Sequence, residues 1–145
     1  MTTHDIIHAA FPDAAPRDAR QLPALTLAYI GDTVYDLYVR TYLLHTLSGN
    51  AHALHMAAAK RVCAAGQAAA YRRIEPLLSE EEQAAFRRGR NAHSGTVPKN
   101  AHLSDYRIAT GVEALFGFLY WTGQDARLSE LMQTALECGD NGEKA

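Results

Sequence analysis

Leu22-Pro23-Ala24-Leu25-Thr26-Leu27-Ala28-Tyr29-Ile30-Gly31-Asp32-Thr33-Val34-Tyr35-Asp36 is the stretch that decides the fold. It opens the most apolar helical pattern in the chain. Leu22, Leu25, Leu27, Ile30, Val34, Leu37, Val39, Leu43 and Leu44 fall on nearly every side of a helix over about 22–47. A helix that is apolar all round is expected to be buried, which places Asp32 in the interior. Burying an unpaired carboxylate is costly unless its pKa shifts. Asp32 therefore needs a partner, and a metal ion is a candidate. A second apolar stretch, Thr110-Gly111-Val112-Glu113-Ala114-Leu115-Phe116-Gly117, supplies a co-ligand in Glu113.

Outward from these two stretches the pattern stays helical. There are no alternating β-branched runs and no hairpin signals. A short helix is expected over Asp5–Phe11, ending before Pro12, and the long one over 22–47, with Pro23 in its first turn. Ser48-Gly49-Asn50 breaks the chain, and Asn50 can cap an alanine-rich helix over about 51–73. Ser79-Glu80-Glu81-Glu82 reads as a capping box that opens a helix to about Arg88. Gly89 to Ala101 is expected to be a loop. A further helix runs from Ser104 or Asp105 to about Thr122, closed by Gly123, and a last one covers Asp125–Cys138. No fixed-period repeat occurs. The expected class is all-α, a single domain over residues 1–145 with its core at about 22–138 and a polar tail at 140–145.

The totals agree. A chain of 145 residues holds one core, and 48% apolar residues exclude a disordered protein. The net charge of −2 counts mildly against nucleic acid as a partner, so the distribution of charge matters more. Cys63 and Cys138 lie far apart without zinc spacing and are expected to be buried thiols in a reducing compartment. The most apolar segment, around 22–44, contains Asp32, Asp36 and Arg40, so it is no membrane span. No basic-then-apolar leader opens the chain, and a soluble cytoplasmic protein is expected.

Two acids on two apolar helices can aim at one point. Their hard oxygens suit Mg²⁺, or Mn²⁺ in its place, because Mg²⁺ takes one or two carboxylates and completes its shell with water and substrate phosphate. Such a metal supports in-line displacement at phosphorus. A mid-helix glycine costs about 1 kcal/mol, so Gly31, Gly111 and Gly117 indicate close approach of backbone or ligand. The bland alternative for Asp32 is an arginine partner or a local cap. Asp36 illustrates it, with Arg40 four residues on, and it stands only as a supporting candidate beside the metal.

A second constellation is Arg87-Arg88-Gly89-Arg90-Asn91-Ala92-His93-Ser94-Gly95-Thr96-Val97-Pro98-Lys99-Asn100, which has four full positive charges and no acid. Arg87, Arg88, Arg90, Asn91, His93, Ser94, Lys99 and Asn100 are candidate contacts to a nucleic-acid backbone. The run has no aromatic residue, so a duplex is the better fit than a stacked single strand. His4-Asp5 lacks upstream ligands for a phosphohydrolase site. His52 and His55 share a helical face but read as surface or packing residues. Ser94 has no His/Asp relay.

With these residues in view, Leu27-Ala28-Tyr29-Ile30-Gly31-Asp32-Thr33-Val34-Tyr35 resembles the signature helix of the ribonuclease III catalytic domain. Glu113-Ala114-Leu115-Phe116-Gly117-Phe118-Leu119-Tyr120 resembles its second acidic helix. Arg90-Asn91-Ala92-His93-Ser94-Gly95 and Pro98-Lys99-Asn100 resemble, more narrowly, the Mini-III ribonucleases, which consist of this domain alone. The resemblance covers about 22–135. It implies a homodimeric, Mg²⁺-dependent endonuclease for double-stranded RNA that leaves 5′-phosphate and 3′-hydroxyl ends, with Asp32 and Glu113 as catalytic metal ligands. It further implies a large-subunit (23S) ribosomal RNA precursor as substrate, and a ribosomal protein as a further partner. Larger family members carry additional acids where this chain has Leu25, Ala28 and Thr110, which the Mini-III pattern also lacks. With no separate RNA-binding domain, affinity must come from the basic run and be salt-dependent. Tyr29 and Tyr35 are expected near the site or at the dimer contact. Extra apolar faces of the long helix, with Tyr35, Tyr38 and Tyr42, motivate the homodimer. The rivals are an inactive RNA-binding or ribosome-assembly factor on the same fold, and a helical adapter without RNA.

Overall fold

In the computed structural model, which describes residues 1–92 and 102–137, the chain runs through α1 (Thr3–His8), α2 (Ala24–Thr46), α3 (Ala51–Val62), α4 (Ala64–Ile74), α5 (Glu80–Asn91), α6 (Leu103–Trp121) and α7 (Asp125–Glu137). Two 3-10 turns, Ala19–Gln21 and Glu75–Leu77, join them. No strand occurs among the described residues. No helix there is long and apolar enough to cross a membrane.

The second apolar stretch becomes the axis of the molecule. From Ala109 to Tyr120 every residue of α6 is buried except Glu113, which is half-buried. A helix apolar all round can satisfy itself only at the centre, and α2, α4, α5 and α7 pack around it. The helix α7 shows the complementary pattern. Leu128, Leu131, Met132, Ala135 and Leu136 are buried at helical spacing, and polar residues face outward.

α3 and α5 start where their capping residues predict, whereas α1 spans Thr3–His8, capped by Thr2, in place of Asp5–Phe11, and α6 starts at Leu103 without a side-chain cap. Ser79 accepts from the Glu82 amide at 3.2 Å while Glu82 accepts from the Ser79 amide at 2.8 Å. Asn50 accepts from the Ala53 amide at 2.9 Å. Gly123 closes α6 with a φ of 71°, which glycine adopts without strain. Arg127 then ties α7 to α5. Its guanidinium donates to both Glu82 oxygens, at 2.8 and 2.9 Å, and to the Leu77 carbonyl at 2.6 Å. Paired this way, the buried Glu82 carboxyl is held below its ordinary pKa.

Four expectations change. The long helix is not buried all round: Tyr29, Leu37 and Leu44 are 79%, 63% and 70% exposed along one side of α2. Mean apolarity overstated its burial, because α2 lies on the flank of α6 and not at the centre. The alanine-rich segment is two helices, broken at Cys63, whose extended backbone (φ −68°, ψ 165°) turns the chain without proline. Cys63 itself is exposed, with its thiol on the Lys60 carbonyl at 3.3 Å; Cys138 lies outside the described residues. Finally, α5 continues through Gly89 to Asn91. Gly89 reads as a stop but serves as a contact, since a Cβ there would lie 2.5 Å from Ala114 Cβ.

The tyrosines also sort differently. Tyr35 is buried in the core, stacked on Phe116 with ring centroids 5.6 Å apart. That burial pushes its hydroxyl up to about 12. Tyr38 is half-buried and bonded to Ser129 Oγ at 2.9 Å, and Tyr42 is half-buried under the Arg61 guanidinium. The free face of α2 is therefore Tyr29, Leu37 and Leu44, not Tyr35, Tyr38 and Tyr42.

Candidate active site

The two acidic helices meet backbone to backbone. An ideal Cβ on Gly31 would fall 1.7 Å from the Glu113 carbonyl oxygen and 2.7 Å from the Gly117 nitrogen. A Cβ on Gly117 would fall 2.0 Å from the Leu27 carbonyl oxygen. Only glycine permits this crossing. It answers what these mid-helix glycines are for: approach of backbone, not room for a ligand. Gly111 plays the same part against α5, where a Cβ would lie 2.6 Å from the Phe86 ring.

The crossing sets the acids. Asp32 follows Gly31 directly, and Glu113 is the residue whose carbonyl Gly31 touches. The Asp32 carboxyl lies near enough to Glu113 for the two acids to act on each other. Glu113 is half-buried, whereas Asp32 is exposed. Asp32 thus departs from the expectation of an interior acid: it stands at the rim, open to water. Burial is the main cause that lifts the Glu113 carboxyl, to about 8, and the adjacent Asp32 charge adds to it. The Gln67 amide, which donates to Glu113 Oε2 at 3.2 Å, opposes the rise.

Two hard carboxylates, one exposed and one half-buried, form a thin donor set. Among the described residues no group of three or more His, Cys, Asp or Glu side chains gathers to hold a metal. The pair does not suit zinc, which wants a fuller set of nitrogen and sulfur ligands. It fits Mg²⁺, which keeps most of its waters and accepts one or two protein carboxylates. Asp32 and Glu113 are the residues that would hold it.

A folded carboxyl that keeps its proton to about pH 8 binds more protons than the unfolded chain between about pH 4.5 and 8. Stability of the metal-free protein should accordingly fall as pH rises through that window. In chelator, wild type is expected to lose melting temperature from pH 5.5 to 8 relative to Glu113→Gln, and Mg²⁺ should remove most of that difference. Parallel curves for the two proteins in chelator would show that Glu113 does not titrate late.

The other expected residues divide. Asp36 accepts both its contacts from Arg40 Nε, at 3.0 Å each, as the i,i+4 spacing suggests. Arg87 and Arg88 are exposed on the last turns of α5, where with Asn91 they line an open groove against Ala24 at the start of α2. Arg90 is half-buried over the Phe86 ring and donates to Asn91 Oδ1 at 3.2 Å. His93, Ser94, Lys99 and Asn100 lie outside the described residues. His4 packs at a tilt against the Trp121 ring and Asp5 caps α1 through Thr2, so neither forms a dyad. His52 and His55 are exposed. Sequence reasoning passed over Gln67. The available signal was a single polar side chain in the small-residue run Ala64-Ala65-Gly66-Gln67-Ala68-Ala69-Ala70.

Known proteins are similar to this chain in sequence and in fold. Residues 25–124 match the family described as Ribonuclease III domain. A Mini-ribonuclease 3 of Enterococcus faecalis is 41% identical over 88% of this chain and 99% of its own length. One from Symbiobacterium thermophilum is 44% identical over 84% of this chain and 94% of its own. A crystal structure of a Fusobacterium nucleatum protein superimposes with a TM-score of 0.75 at 25% identity, covering 84% of this chain and 98% of that one.

Proposed function

This chain belongs to the ribonuclease III family, among the Mini-ribonuclease 3 proteins, and is an endoribonuclease acting on double-stranded RNA; from that premise we propose that Asp32 and Glu113 are its catalytic pair, holding Mg²⁺ or, in its place, Mn²⁺. The observation that carries the proposal is the convergence of the two carboxyls beside the Gly31–Gly117 crossing. The cation, when bound, supplies an activated water and neutralises charge at phosphorus. Asp32 would offer the cation an exposed oxygen, and Glu113 a half-buried one.

The finer assignments follow from family and chemistry. Cleavage leaves 5′-phosphate and 3′-hydroxyl ends. The substrate is the large-subunit ribosomal RNA precursor, a ribosomal protein is a further partner, and the cell compartment is the cytoplasm. Arg87, Arg88, Arg90, Asn91, His93, Ser94, Lys99 and Asn100 contact the RNA backbone. Two copies associate through α2, a proposal supported by the exposed stripe of Tyr29, Leu37 and Leu44 beside Asp32. The deep, narrow major groove of an A-form duplex favours recognition by phosphates and 2′-hydroxyls over base edges.

A perfectly paired RNA incubated with the protein should be cut with Mg²⁺ and left whole in EDTA, and RNA ends in cells lacking the protein should retain unprocessed large-subunit precursor. Binding without cutting at any Mg²⁺ or Mn²⁺ concentration would favour an inert RNA-binding factor. Arg88→Ala should weaken duplex binding and lower the slope of log affinity against log salt by about one. An unchanged slope would remove Arg88 from the RNA contacts.

A further inference from the structure

We propose that Gln67 is the positioning residue for Glu113, fixing which way its carboxylate points and so how tightly the pair grips a divalent cation. This rests on the assignment of Asp32 and Glu113 as metal ligands. Gln67 is 2% exposed, on the first turns of α4. Its Nε2 donates to two acceptors, the Val62 carbonyl at 2.9 Å and Glu113 Oε2 at 3.2 Å. That pairing settles the orientation of the amide, because rotating it would set Oε1 against a carbonyl and a carboxylate. The Val62 carbonyl, at the end of α3 just before the corner at Cys63, anchors the amide from behind. Glu113 Oε2 is thereby tethered to fixed backbone.

One end of this side chain works against the fold. Gln67 Oε1 is buried without a hydrogen-bond partner among the described residues. A leucine or methionine in the same space would carry no such unpaired acceptor. The neighbours are small and apolar: Ala68 and Ala70 are buried beside it. A glutamine kept there at a cost to the fold is explained by what its other end holds. Donors to a ligating carboxylate typically govern metal affinity or activity by 10- to 100-fold. With only two acids gathered there among the described residues, the direction of each oxygen weighs more than in a fuller ligand set.

The test is Gln67→Met, which keeps the volume and removes the donor, beside Gln67→Glu, which keeps the shape and sets a second acid against Glu113. Mn²⁺ binding to the RNA-free protein, followed by calorimetry, should weaken by about tenfold in the methionine variant and further in the glutamate variant. In cleavage assays, kcat at limiting Mg²⁺ should drop and recover as Mg²⁺ is raised, with KM for duplex RNA unchanged. A folded Gln67→Met with the wild-type Mn²⁺ isotherm would overturn the proposal. So would loss of folding in both variants, which assigns Gln67 to the core instead. If wild type binds Mn²⁺ but never cuts RNA, the catalytic assignment fails while the Mn²⁺ isotherms still decide the role of Gln67.

Discussion

Asp32→Asn is expected to end cleavage of double-stranded RNA while leaving the protein folded. The side chain is exposed, and surface substitutions of this kind usually stay within about 0.5 kcal/mol in stability. Removing its charge also relieves the repulsion that adds to burial in lifting the Glu113 carboxyl. The chemistry has no such tolerance. Of two acids in the site, one is lost, and with it several kcal/mol of transition-state stabilisation, a fall in rate of about 10³-fold or more. Helical circular dichroism and the melting curve should match wild type, and RNA affinity in EDTA should be kept or slightly raised. A variant that cuts within tenfold of wild type at equal Mg²⁺ would place the reacting centre elsewhere.

Gly31→Ala should fail in the opposite way, through the fold. The added methyl would lie 1.7 Å from the Glu113 carbonyl oxygen, and that atom is backbone, so no rotamer change can clear it. α2 would have to lift from α6 along their whole contact, stripping the Tyr35–Phe116 stack and the burial of Leu27. The expected loss is more than about 3 kcal/mol, at the upper end for overpacking, read as a lower denaturant midpoint. Whatever still folds should cut poorly, since the same shift separates Asp32 from Glu113. Gly117→Ala meets the Leu27 carbonyl oxygen at 2.0 Å and should behave alike. Gly49→Ala, whose nearest neighbour is the Ala53 side chain at 3.3 Å, should cost under about 1 kcal/mol.

Both results bear on what the sequence makes legible. The all-α class, the starts of α3 and α5, and the pairing of an acid on each apolar helix were readable, because caps and periodicity are local and the acids were conspicuous against leucine and alanine. The exposure of Asp32 was not. Periodicity reports how apolar a helix is and not whether its last free side faces a neighbour, and α2 and α6 look alike until packing gives α6 the centre. The break at Cys63 had no glycine or proline to announce it. Gly89 had the letter of a stop and the job of a contact. Gln67 could be noticed but not interpreted, since its meaning lies in Glu113, far away along the chain.

The glycine crossing has one more consequence. α2 is a rod that meets α6 backbone to backbone at Gly31, and a rod rocking on such a fulcrum moves least beside the point of support. Thr46, fifteen residues on, lies about 22 Å along the axis from that fulcrum, whereas Asp32 lies about 1.5 Å from it. Any rocking of the helix about that contact would therefore be spent at its far end. Asp32, planted at the node, would be displaced least.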